Sequence, residues 1–172
     1  DGAQGDGDSA HPGVSADGRY VTFYSLATNL LGPGIDNNNV MDVFLHDRQA
    51  GTTTRVSVAS DGTQADGDSV NPVISADGRY IGFESGATNL AGSGVDTNAA
   101  MDVFIHDSYT GGTTRVSVAS DGTQGAGGHS QSPALSRDGR YLAFHSFATN
   151  LSGAGNDTNA AGDVFVRECA EA

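Results

Sequence analysis

Lysine and tryptophan are both absent from this chain of 172 residues, and cysteine occurs once, as Cys169. A lone cysteine cannot form an internal disulfide, so the fold has to stand on packing, and this thiol reads as incidental rather than nucleophilic. No stretch approaches the roughly 18 uninterrupted apolar residues that a membrane span needs. The first residues, Asp1-Gly-Ala-Gln-Gly-Asp, show neither the basic nor the apolar region of a secretory leader, and the chain as it stands is expected to be soluble. All eight cationic side chains are arginines, set against 21 Asp and Glu, for a net charge of -13. Such an excess of carboxylate repels phosphate backbones and anionic lipid, which excludes nucleic acid and membrane surfaces and leaves cations as partners.

Helical spacing of apolar residues over ten or more positions is missing too, which points to an all-β chain. Gly-x-Ser-x-Gly is absent, and no Ser stands beside His and Asp in a pattern that predicts a triad. Gly128-His129-Ser130 lies in an irregular linker. His46 and His106 hold one repeated position that Arg167 takes in the third copy, a substitution that suits a polar contact better than zinc.

What the chain has in abundance is internal repetition. Ser15-Ala-Asp-Gly-Arg-Tyr20 returns as Ser75-Ala-Asp-Gly-Arg-Tyr80 and as Ser136-Arg-Asp-Gly-Arg-Tyr141. Asp17, Asp77 and Asp138 are thus 60 and 61 residues apart. Ala27-Thr-Asn-Leu30 and Asp42-Val-Phe44 recur in step, defining repeats at approximately 11–60, 71–120 and 132–172 within a single domain. The extra residue of the last interval falls between Asp121 and Pro133, as expected of a tolerant surface loop.

Each copy reads as a four-stranded meander. A brief apolar run after proline, as in Pro72-Val-Ile-Ser75, leads into the Asp-Gly turn, where glycine accepts positive φ. The second strand, Arg19–Ser25, sets Val21, Phe23 and Ser25 on one face and Tyr20, Thr22 and Tyr24 on the other. Both faces begin with large groups, so both are expected to be covered, and the small Thr22, Gly82 or Ala143 lets a neighbouring sheet approach. The third strand is Asp42–Asp47 and its equivalents. The fourth, Thr53–Ala59 and Thr113–Ala119, alternates Val56 and Val58 with Arg55, Ser57 and Ala59, which predicts an edge strand with one wet face. The third copy stops after Glu168 without that strand.

Four-stranded meanders covered on both faces predict blades of a β-propeller. The pattern Pro-x-x-Ser-x-Asp-Gly-Arg-Tyr-x-x-Phe, followed by Ala-Thr-Asn-Leu and Asp-Val-Phe, resembles the TolB-type β-propeller repeats of bacterial envelope and secreted proteins. That resemblance covers nearly the whole chain and implies a periplasmic or secreted scaffold for protein or small-molecule ligands. Propellers close with about four to eight blades, whereas three are present, about half of a six-bladed ring. A homodimer that completes the ring, or the remainder of a longer propeller, is therefore the expected partner. Asp1-Gly-Ala-Gln-Gly-Asp matches the linker Asp61-Gly-Thr-Gln-Ala-Asp, a phase that fits either.

The loop between the second and third strands carries the candidate chemistry. Asp36, Asn38 and Asp42 recur as Asp96, Asn98 and Asp102 and as Asp157, Asn159 and Asp163. Carboxylate and amide oxygens converging in a loop suit calcium, although the spacing differs from an EF-hand and the final bidentate Glu is missing. Asx residues so spaced also satisfy turn backbone without metal. A binding or assembly module is the leading expectation; the alternative is a calcium-dependent hydrolase or lactonase-like propeller with its metal in the channel of a closed ring. Tyr24, Glu84 and His145 share one repeat position and differ, which marks a place where specificity could be built.

Overall fold

The computed structural model of the protein describes residues 4–153, 155–159 and 161–169. Residues 1–3 of the linker match and 170–172 of the third repeat lie outside the described residues. The described residues form eleven strands and no helix. The first sheet holds β1 (Ser9–Val14), β2 (Tyr20–Ser25), β3 (Asp42–Asp47) and β4 (Thr52–Arg55) in sequential antiparallel order. The second holds β5 (Ser69–Ile74), β6 (Tyr80–Ser85), β7 (Asp102–Asp107) and β8 (Gly112–Arg115). The third has three strands, β9 (Ser130–Leu135), β10 (Tyr141–Ser146) and β11 (Asp163–Glu168).

The first strand of each sheet begins before its proline rather than after it. A bulge makes this workable: the register shifts between Ala10 and Gly13, and His11, Asn71 and Ser132, each preceding a proline, take positive φ. The hairpin that follows is a four-residue turn. Gly18 N–H donates to Ser15 O, and Asp17 accepts from Ser15 Oγ (2.6 Å) and Arg19 N (3.0 Å). The fourth strand is shorter than its pattern predicts, ending at Arg55 and Arg115. Beyond Arg55 the chain turns inward, with Val56 and Ser57 both buried and both N–H groups directed at Val43 O. The expected wet face is thus occupied by a buried arginine and a buried serine.

The sheets stack flank to flank through their inner strands, β5 reaching β1, β2 and β3, and β9 reaching β5, β6 and β7. Val43, Leu45 and Val56 of the first sheet meet Ile81, Phe83 and Leu90 of the second in one apolar cluster. Val103, Ile105 and Val116 meet Leu142, Phe144 and Leu151 in the next. Within each sheet a phenylalanine pair stacks across the second and third strands, with centroids 5.7–5.8 Å apart in Phe23–Phe44, Phe83–Phe104 and Phe144–Phe165. The mid-strand small residue does let the next sheet in: a Cβ on Gly82 would stand 2.7 Å from Leu142 Cδ1. Size is also exchanged between positions, since Phe147 and His145 fill the space that Gly162 vacates where the other copies carry Met41 and Met101.

A second seam runs along the Asp-Gly-Arg turns. Ala16 N–H donates to Ala76 O (2.9 Å), and Ala76 N–H to Arg137 O (2.8 Å), tying each turn to the next. Gly78 has φ +79, and a Cβ there would lie 2.2 Å from the Tyr20 ring; Gly139 stands in the same relation to Tyr80. Gly18 has the same backbone angle, yet its Cβ would meet only Arg48 at 3.8 Å. Gly78→Ala is therefore expected to destabilise the chain by roughly 1–3 kcal/mol more than Gly18→Ala, overpacking being added to the shared backbone strain. Urea unfolding of both variants checks this, and equal losses would contradict the seam.

Candidate functional site

The structure brings the expected Asp-Asn-Asp groups together in the first two sheets and places a cation of the protein's own between them. Arg55, at the end of β4, sets Nη2 3.2 Å from Asp36 Oδ1 and Nε 3.5 Å from Asp42 Oδ2. All three side chains are at most 5% exposed. Arg115 repeats this with Asp96 (3.5 Å) and Asp102 (3.2 Å). The carboxylates take further hydrogen bonds from neighbours, whereas Arg55 Nε and Nη2 and Arg115 Nε face the site without a hydrogen bond of good geometry. Ser57 Oγ donates to Asp42 Oδ1 at 2.5 Å, and Ser117 Oγ to Asp102 Oδ1 at 2.6 Å. Asn38 turns its Nδ2, not its oxygen, toward Asp42 Oδ2 (2.9 Å) and Ala65 O (3.0 Å), and Asn98 does the same. The side-chain oxygen of Asn98 accepts from Ala100 N at 2.9 Å, a turn contact.

Burial pushes the Asp42 and Asp102 carboxyls above the usual range, while the serine hydroxyls and the arginines pull them back down. Sequence reading missed Arg55, Arg115, Ser57 and Ser117 as partners of these loops. The signal was present: Thr-Arg-Val-Ser-Val-Ala-Ser recurs in the first two copies, with the arginine 13 residues after the strand-opening aspartate. In the third sheet Asp157 and Asn159 make turn contacts, Asn159 N–H donating to Asp157 Oδ1 (3.2 Å) and Ala161 N–H to Asn159 Oδ1 (2.9 Å), while Asp163 opens β11. Among the described residues no arginine joins Asp163. Removing one partner of a buried ion pair strands the other in a poor dielectric. Arg115→Ala is expected to cost about 3–5 kcal/mol, and Arg115→Lys less, because it keeps the charge but loses the planar fork. Equilibrium urea unfolding checks both.

The turn arginines pair with carboxylates at the far end of the third strand. Arg19 grips Asp47 through Nε (3.0 Å) and Nη2 (2.6 Å), and Arg79 grips Asp107 likewise (3.0 and 2.7 Å). Arg140 meets Glu168 at 2.7 Å. The hydrogen bonds from Arg79 hold Asp107 down to about 2 from a usual 3.8. A depressed folded value means that this pair stabilises above about pH 4 and that the contribution is lost as pH falls through about 2. Arg79→Ala is accordingly expected to begin acid unfolding at a higher pH than the parent, with the two stabilities converging near pH 2; circular dichroism across a pH series measures it.

The other candidates have structural places. Glu84 is buried and bridges two sheets, accepting from Asn71 Nδ2 (3.0 Å) and Ser132 N (2.6 Å). His145 packs edge-on against Phe147, and Tyr24 lies beside His11. His46 and His106 bond Thr53 and Thr113 through Nδ1. Cys169 packs against the second apolar cluster, and burial pushes its thiol up to about 11. The linker expected to be a tolerant loop is partly pinned: Gly128 lies so close to Phe147 that a Cβ would be 2.5 Å away, and His129 Nδ1 accepts from Met101 N. Among the described residues no three His, Cys, Asp or Glu side chains gather in a metal-binding group.

The two flanks of the stack are unlike its interior. On the last sheet Val164 and Val166 are 75% and 56% exposed, whereas the equivalent Val103 and Ile105 are 0% and 6%. On the first sheet a cleft of about 730 Å³ is lined by Phe23, Leu30, His46 and Thr53.

Such sheets define a class: an arc of β-propeller blades, two of them with four strands and the third with three among the described residues. Within that class the fold is TolB-like. A putative TolB from Agrobacterium tumefaciens superposes with a TM-score of 0.54 at 19% identity, over 94% of this chain and 46% of that one. TolB from Acinetobacter baumannii gives 0.49 at 18% identity, over 95% and 30%. The β-propeller domain of the Trilobed protease from Pyrococcus furiosus gives 0.48 at 13% identity, over 94% and 43%. The chain thus spans less than half the length of each of these proteins. No family model matches it, and neither does any curated protein.

Proposed function

We propose that this chain is a non-catalytic propeller scaffold that works by protein–protein association, two copies stacking flank to flank into a six-bladed ring. One observation carries the reading: each flank presents half of a contact that the chain makes twice within itself. Tyr20 covers Gly78 and Tyr80 covers Gly139, while Tyr141 is 40% exposed and Gly18 has no ring over it, only Arg48 Nη1 at 3.8 Å from a Cβ placed there. The hydrogen-bond relay along the turns is incomplete in the same way, because the N–H of Arg137 has no partner among the described residues where Ala16 and Ala76 have one. Seating Gly18 of a second copy under Tyr141 would cover Val164 and Val166 with Val21, Phe23 and Leu30, as Val103 and Ile105 are covered now. The two flanks differ from each other, so the contact is head-to-tail, and two copies of a three-blade arc shut the circle. Exposed apolar area of this extent is the usual mark of an association surface. The resemblance of the repeats to envelope and secreted proteins supports a setting outside the cytoplasm.

Calcium has a competitor in the first two blades, where the guanidinium already neutralises the aspartates. Calcium would have to displace it there, and at Asp157, Asn159 and Asp163 of the third blade any affinity is that of a loose oxygen cage. The hydrolase alternative drew on a channel metal, and no arrangement of the described residues favours it.

Sedimentation equilibrium is expected to give twice the 17.4 kDa of one chain, with Tyr141→Glu and Gly18→Val each reverting to the monomer while melting cooperatively. A parent that stays monomeric at all concentrations would sink the ring. Isothermal titration with calcium is expected to show at most one weak site per chain, abolished by Asp163→Asn.

A further inference from the structure

We infer that the cleft between the first two blades is a binding site for a neutral sugar ring, and that the boundary between the second and third blades repeats it. The first cleft has a volume of about 310 Å³ and the second about 350 Å³. Both lie at the small end of the roughly 300–1,000 Å³ usual for ligand sites, which suits one ring and not a longer ligand. The same two segments build each cleft. Ser60-Asp-Gly-Thr63, the turn that leaves one blade, recurs at residues 120–123; Asn89-Leu-Ala-Gly92, the loop after the second strand of the next blade, recurs as Asn150-Leu-Ser-Gly153. Thr113 of β8 adds a third wall to the first cleft. That site therefore lies wholly inside the described chain and depends on neither flank nor on the proposed dimer.

The walls are held in place before any ligand arrives. Ser60 Oγ donates to Thr113 O (3.1 Å) and accepts from Thr113 N (3.0 Å), crossing the blade boundary. Asn89 Nδ2 donates to Gln64 O (2.8 Å), and Asn89 Oδ1 accepts from Asp66 N (3.2 Å), which fastens the loop to the linker. Asn150 makes the same two bonds with Gln124 and Ala126. A preformed cleft needs no ordering when it binds.

The lining matches a sugar ring in kind. Ala59, Leu90 and Ala91 give an apolar floor, with Ala59 and Leu90 buried, whereas Asp61, Thr63 and Ser93 stand exposed at the rim. A pyranose has the complementary make-up, with carbon-bound hydrogens on its face and hydroxyls around its edge. Asp61 is the directing group. Its Oδ1 accepts from Thr63 N at 2.9 Å, and bonds from the Thr63 N–H and hydroxyl hold the carboxyl below the usual range, so it stays an ionised acceptor. Asp121 and Thr123 repeat this. A carboxylate takes hydroxyl donors in short charge-assisted bonds and repels phosphate, sulfate or uronate. One carboxylate is too few for calcium, which gathers about six to eight oxygens. An ammonium ion would meet a single exposed charge, screened by salt, and make no use of the floor.

The test is a titration of the isotope-labelled chain with the methyl glycosides of glucose, galactose, mannose and N-acetylglucosamine, followed by amide chemical shifts. For a ligand of about a dozen non-hydrogen atoms in an open cleft, dissociation constants on the order of 1–10 mM are expected. At least one glycoside is expected to move the amides of residues 60–63 and 89–93, and of 120–123 and 150–153, while leaving the Asp-Gly-Arg turns unmoved. The two clefts serve as controls for each other. Asp61→Asn, which the turn tolerates, is expected to weaken the first cleft roughly tenfold or more and leave the second at parental strength, and Asp121→Asn to do the reverse. Retention on agarose bearing the preferred sugar, lost only when both aspartates are changed, would assign the ligand to a multivalent surface; shifts without retention would assign it to the free sugar. No shift with any glycoside, shifts indifferent to both aspartates, or equal shifts with methylammonium or glucuronate would overturn the inference.

Discussion

Every blade of this protein depends on having another sheet against its flank. The residues that make a blade stable on one side, a stacked phenylalanine pair and a ladder of valine, isoleucine and leucine, are the ones that must be kept from water on the other. Close approach is what makes the stacking dense. Glycine or threonine at mid-strand and glycine in the turn remove the bulk that would hold the sheets apart, and Leu142 or the Tyr20 ring then occupies the space. The constraint is translational: the same surface is donor on one side and acceptor on the other, so a finite arc always ends with two unmatched halves. The exposure of Val164 and Val166, at positions wholly covered one blade earlier, is the direct consequence.

The aspartate loops illustrate how an acidic motif can serve packing. Two carboxylates gathered at the end of a hairpin repel each other and lose hydration when covered. A guanidinium from the neighbouring strand answers both problems, because it is planar, permanently charged and able to face two carboxylates at once. The arrangement also couples the outer strand to the loop. Arg55 or Arg115 cannot leave without stranding charge, so a short fourth strand of four residues is held in place by electrostatics as much as by its ladder.

Much of the fold was legible in the chain because blades are built from local rules. Asp-Gly at a fixed interval announces hairpins, alternation announces strands, and apolar groups on both faces announce stacking. The fourth strand was misread for a physical reason. Arg-Val-Ser-Val alternates like a half-wet edge, and only the presence of Asp36 and Asp42 at its end makes burial of the arginine favourable. The glycine-rich linker before β9 is largely exposed, as a surface loop should be, but Gly128 makes a close approach to Phe147, just past the end of β10, that spacing along the chain does not reveal. The aspartates were singled out as calcium ligands, and in two blades the structure sets an arginine between them. What occupies that site in two blades was hidden by chain separation.

The sequence by itself determined the three meanders, their turns and the phase of their apolar faces, all of which follow from backbone preferences and periodicity within a few residues. Tertiary structure alone decided which cation sits among the carboxylates, which ring lies over which glycine, and which edge is left unpaired. Those outcomes rest on distances between groups that the chain keeps far apart, and electrostatic and packing energies become large only once folding has brought them within a few ångströms.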